Sequence, residues 1–214
     1  MIRYFYKNRI EHSAYLSTFD WRFIMNDEII ETVKHDIISK SQKYMEEVDD
    51  YDFWNEHIKF VEYYALKLAY EYGANPEVVQ LGALLHDVAL VSGIGTRLDH
   101  HEQGAIIAVN LLSQLGYDTD RIEQVRKCVY NHRSSHNAES IEEICVADAD
   151  ILAHFANIPM IFQCGFVLQK KNLREVKAGL RKSLQDDFDD LSDRTKLIFQ
   201  KEYDNILNVL IKDI

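Results

Sequence analysis

Apolar residues recur three and four positions apart over long stretches of this chain, and strict apolar/polar alternation bounded by turn residues is hard to find. That period predicts an all-α protein, a helical bundle of about eight or nine helices. Asn26 or Asp27 is placed to cap a helix running to about Val48, and Asp52 to cap a second that ends at Gly73. Asn75-Pro76 opens a third, since proline at a first helical position loses an N–H that would be unpaired anyway. The stretch from Ser92 to Arg97 reads as a loop through its two glycines, and Asp99 can cap a helix that ends near Gly116. Asp118 starts a helix toward His132, and Ser140 caps one through Asp148 and Phe155. Pro159 leads into helices around 172–185 and 192–212. The run Asp186, Asp187, Asp189, Asp190 reads as a solvated turn. Residues 1–25 show no convincing period and read as an N-terminal extension. With only eight glycines and two prolines, residues 26–214 read as one domain.

A formal charge of −11 repels a phosphate backbone over most of the surface, which disfavours a nucleic acid polymer as partner. A small anionic substrate can still enter a metal-charged pocket. Cys128, Cys145 and Cys164 are odd in number and set in apolar helical patterns, which suits buried thiols in a cytoplasmic, reducing setting. The apolar run from Ile158 to Leu168 is interrupted by Gln163 and is too short for a bilayer, so no membrane span is expected. Cys145 and the Tyr63-Tyr64 pair, at helical spacing among apolar neighbours, are expected in the core.

Candidate chemistry gathers at His57, His86-Asp87, His100-His101, His132, and Asp148 and Asp150, each near a helix end or in an apolar-flanked part of a helix. A bundle can bring such positions together across facing helices. Mixed imidazole and carboxylate donors suit a divalent transition metal (Mn, Fe, Co, Ni or Zn, with Mg less favoured), one or two per chain. Two such ions bridged by an aspartate would activate a water as hydroxide against a phosphate ester. A His-Asp dipeptide alone proves little: His35-Asp36 is another, and it reads as a surface or packing feature.

The order of these motifs resembles the HD superfamily of metal-dependent phosphohydrolases. EHIKFVEYYALKLA is similar to that family's first-histidine helix, GALLHDVAL to its His-Asp helix, HHEQGAIIA to its middle-histidine segment and ADADILAHF to its closing aspartate segment, over roughly residues 50–156. The resemblance implies His57, His86, Asp87 and Asp150 as ligands of a first metal, with Asp87 as bridge and catalytic anchor. It implies His100 and His132 for a second metal. Two alignments stay open: Asp148 in place of Asp150, and His101 in place of His100. Asp148 also reads as an acceptor that orients a ligand histidine. Arg97, Lys127 and Arg133, close in sequence to these positions, are candidates to bind a phosphate.

Val88, Ala89 and Leu90 follow the His-Asp pair, so the glutamate that acts as an acid in the deoxynucleotidase and guanosine-tetraphosphate hydrolase branches is missing. The Gly-Tyr-Pro signature of the cyclic-di-GMP branch is also absent after His132. The resemblance therefore implies a hydrolase of a small phosphorylated metabolite, a nucleotide foremost. It carries two rivals: a di-iron oxygenase on the same fold, and a nucleotide-sensing module without turnover. The oligomeric state is open, because the last helix has apolar positions enough to pack on its own domain or on a partner.

Overall fold

A computed structural model describes residues 21–48 and 50–210. Among them there is no strand, and ten α-helices follow one another: α1 Trp21–Glu47, α2 Lys59–Tyr72, α3 Pro76–Leu85, α4 Val88–Val91, α5 His100–Gln114, α6 Thr119–Asn131, α7 Ile141–Ala156, α8 Ile158–Gln163, α9 Leu173–Asp190 and α10 Asp193–Leu210. The expected extension lies, up to residue 20, outside the described residues. The first helix begins at Trp21 and runs through Asn26 and Asp27, so neither starts it.

Several expected caps are present. Asn75 Oδ1 accepts from the backbone N–H groups of Glu77 and Val78, with Pro76 at the first helical position. Asp118 accepts from Arg121 N–H and Ser140 from Glu143 N–H, and Gly73 ends α2 with φ 74°, a left-handed conformation that costs glycine little. Asp99 precedes α5 as expected, but its carboxylate turns back to accept from the Thr96 N–H and hydroxyl, both at 2.6 Å, and closes the glycine loop instead. The acidic run is not a turn. It is the last part of α9, and Asp187 and Asp190 face His154 and His136.

The core is built where α2 packs along α7 and α3, and α6 along α5, α3 and α7. Gly82 makes one of these approaches possible: a Cβ there would lie 2.8 Å from Cys128 Cβ and 3.0 Å from Val146 Cγ2. α3 is thereby drawn against α6 and α7, just before the His86-Asp87 pair. Glu62 accepts from Lys34 Nζ and Gln80 Nε2, which ties α1, α2 and α3 together. Cys128 and Cys145 are buried free thiols, while Cys164 is only partly buried. Tyr63 corrects the expectation of a core pair: it is 57% exposed, and Tyr64 is half-buried. His35 is exposed and Asp36 pairs with Lys40.

α10 packs on its own chain through Phe199 and Tyr203. The Tyr203 ring stacks on Phe188 at 4.1 Å, while Leu197 and Val209 remain exposed. Among the described residues no single helix is long and apolar enough to cross a membrane.

Candidate metal centre

The candidate residues come together at helix ends. His57 lies in a single π-turn, Trp54–Ile58, that leads into α2. Its start is held by Asp52, which accepts from Asn55 N–H, and by Ser41, whose hydroxyl accepts from Trp54 N–H. Asn157, just past α7, donates to Glu56 O at 2.8 Å and fixes this turn from the other side. His86 and Asp87 occupy the break between α3 and α4, His100 is the first residue of α5, and His132 follows α6.

One device aims three of these rings. His86 Nδ1 donates to Ala83 O at 2.7 Å, His100 Nδ1 to Arg97 O at 3.0 Å and His132 Nδ1 to Val129 O at 2.6 Å. A carbonyl can only accept, so each Nδ1 carries its hydrogen, and each ring in its neutral form presents the Nε2 lone pair inward.

Those lone pairs converge. His57 Nε2 and His86 Nε2 are 3.1 Å apart, as are His100 Nε2 and His132 Nε2. Asp87 stands between the two pairs. Its Oδ2 lies 3.5 Å from His86 Nε2 and 3.8 Å from His57 Nε2, and its Oδ1 lies 3.3 Å from His100 Nε2 and 3.9 Å from His132 Nε2. Asp150 Oδ1 is 3.0 Å from His57 Nε2 and is buried without a hydrogen bond. Two pairs of facing imidazole nitrogens around an aspartate, beside an orphaned buried carboxylate oxygen, form a donor set that fits divalent cations. The donor atoms of His57, His86 and Asp87 lie within 4.8 Å of one another, as do those of Asp87, His100 and His132, and those of His57, Asp150 and His154.

With protons alone in the cluster, the charges sort unevenly. Burial pulls the His86 ring down, but Asp87 beside it and Asp150 hold it up to about 9. Burial and the neighbouring His86 push His132 down to about 4. Burial would raise both carboxylates, yet the surrounding imidazoles hold Asp87 and Asp150 well below the usual carboxylate range.

The remaining candidates separate. Arg97 and Arg133 line the cavity over the cluster, about 620 Å³, together with Tyr44, Tyr51, Phe53 and Cys164. Arg133 Nη1 donates to Leu98 O. Lys127 is held away by Glu139 at 3.0 Å and does not line that cavity. His101 lies against Tyr130, at 5.4 Å between rings, and belongs to none of the donor groups. Asp148 also corrects its expectations: it orients no ligand histidine and instead accepts from Ser135, Ser192 and Thr195. His154 was not among the expected site residues. It lines the cavity four positions after Asp150, and that spacing puts both on one face of α7.

An all-α fold with a buried His/Asp cluster of this geometry defines a candidate helical metalloprotein. Residues 55–154, just under half of the chain, match the family model of the HD domain. No curated protein matches the sequence. Among solved structures, the Lin1889 protein of Listeria innocua is similar at TM-score 0.65 and 20% identity, over 86% of this chain and 93% of that one. Bacillus subtilis YpgQ in complex with ADP is similar at TM-score 0.64 and 18% identity, over 86% and 92%. An HD-superfamily hydrolase from Bacillus thuringiensis is similar at TM-score 0.62 and 19% identity, over 85% and 92%. At these identities the likeness is one of fold.

Proposed function

We propose that this protein is a metal-dependent phosphohydrolase that acts on a small phosphorylated metabolite, a nucleotide foremost. The observation that carries the reading is Asp87, whose two oxygens face separate histidine pairs. His57, His86 and Asp150 would hold one divalent cation, His100 and His132 a second, and Asp87 would be shared. Such a pair supplies a water that ionises near neutral pH and neutralises charge on a phosphoryl group.

The chain's own residues supply the rest. Arg97 and Arg133 are exposed cationic residues that line the cavity, close in sequence to His100 and His132, and are suited to orient a phosphate. Tyr44, Tyr51 and Phe53 pack edge to face at 5.0 and 4.8 Å and give one part of the cavity an aromatic wall against which a base can stack. A volume of about 620 Å³ is within the range of small-molecule sites. The ADP held by YpgQ makes a nucleoside diphosphate the first ligand to try.

The test is elemental analysis of protein purified without chelators, paired with hydrolysis of nucleotides and generic phosphoesters in the presence of Mn, Co, Ni or Mg. About two metals per chain and phosphate release are expected. Iron without hydrolysis would instead favour a di-iron oxygenase, and nucleotide binding that survives chelation without turnover would favour a sensing module.

A further inference from the structure

His154 repeats the arrangement of the other site histidines by a different route. Its Nδ1 lies 3.3 Å from Asp187 Oδ2, on the last turns of α9, and its Nε2 faces Asp150 Oδ1 at 3.9 Å. The ring lies nearly parallel to His57, 5.5 Å between centroids and 21° between planes. His86, His100 and His132 are each anchored through Nδ1 and present Nε2 to the cluster; so is His154, with a carboxylate as the anchor in place of a backbone carbonyl. An aspartate on the outer nitrogen of a metal-bound imidazole fixes the ring and raises its basicity as a donor.

The geometry points to His154 as a further ligand of the cation beside His57, with Asp187 as its positioning residue; this rests on the metal reading given above. The two cation positions then become unequal. The first would draw on His57, His86 and Asp87, which lie within 4.8 Å of one another, and on Asp150 and His154, which group with His57 in the same way; the second would draw on Asp87, His100 and His132. A cation of six-fold preference is nearly saturated by protein at the first position and keeps open positions at the second. Tight retention belongs to the first. Exchangeable ligands, water and a phosphate oxygen among them, belong to the second, on the side of Arg97 and Arg133.

Cobalt(II) titration of the chelator-treated protein tests this without any assay of turnover, by calorimetry and by the visible absorption of the bound ion. The wild type is expected to take up two ions with clearly different affinities. His154→Gln should weaken the tighter step roughly 10- to 100-fold and alter its spectrum. Asp187→Asn should act in the same direction to a smaller extent, and it serves if His154→Gln does not fold, as judged by helical circular dichroism. His100→Ala should remove the weaker step and spare the tighter one. If a folded His154→Gln or Asp187→Asn chain binds cobalt with wild-type affinities and spectrum, the assignment of His154 is overturned while the metal centre stands. A wild type that takes up no cobalt overturns both.

Discussion

Asp148 and Asp150, two positions apart on α7, are turned to different tasks: Asp148 accepts from Ser192 N–H at 2.9 Å and from the hydroxyls around it, while Asp150 stands 3.0 Å from His57 Nε2 with an oxygen left unpaired. The first ties α7 to the junction of α9 and α10, and the second faces the cavity.

Exchange of the two should therefore separate stability from metal. Asp148→Ala leaves the buried donors of Ser135 and Thr195, and the half-buried one of Ser192, without their acceptor, at a cost on the order of 3 kcal/mol. Asp150→Asn should lose metal while its fold persists. Thermal melts and metal analysis of both variants check this; equal metal loss with equal destabilisation would contradict the division.

Asp87→Ala should abolish both metal uptake and phosphoester hydrolysis, because one side chain serves both histidine pairs. His132→Ala, on one pair alone, should lower the metal content toward one ion per chain. Elemental analysis reads both, and a variant at Asp87 that retains two ions and full activity would remove the shared carboxylate from the mechanism.

The chelated protein should show a bell-shaped stability against pH. His132 is held at about 4 in the fold against 6.5 when unfolded, so unfolding takes up a proton there and stability falls as pH drops from about 6.5 toward 4. His86 and His154 are each held up to about 9, so their contribution is complete below 6.5 and is lost as pH rises through 9. Melting temperatures in chelator should thus peak near pH 6.5. Saturating metal displaces the His86 proton and should remove the alkaline decline, with proton release measurable from the buffer dependence of the binding heat. A flat apo profile from pH 5 to 9 would contradict these charge states.

Gly82→Val should destabilise the chain by about 1–3 kcal/mol, since the Cβ would sit against Cys128 Cβ, main-chain-proximal and unable to swing away. Denaturant midpoints measure it. Gly179→Ala, which meets nothing within 4 Å, is the control and should be neutral or slightly stabilising.

Much of the scaffold was legible because local chemistry marks it. Asn75-Pro76, Asp118 and Ser140 begin helices through bonds to their own next turns, and Gly73 ends one through its φ. The positions His57, His86, Asp87, His100, His132 and Asp150 do fall into one cluster, as their order in helical segments suggested. Asp99 shows the limit of such reasoning, since the same carboxylate had two local partners to choose between and took Thr96. Asp187 shows another: its partner His154 is thirty-three positions away, and only the return of α9 across α7 brings them together. The π-turn at His57 depends on Ser41 and Asn157, both distant in sequence, and had no period of its own to read.

The anchors of the four rings differ in what mutation can reach. Ala83, Arg97 and Val129 contribute backbone oxygens, which every amino acid carries, so drift at those positions leaves the orientation of His86, His100 and His132 unchanged. Asp187 contributes a side chain. Of these four anchors it alone can be rewritten by a single codon change, and it gives selection a handle on the centre that lies outside the helix ends that carry the ligands.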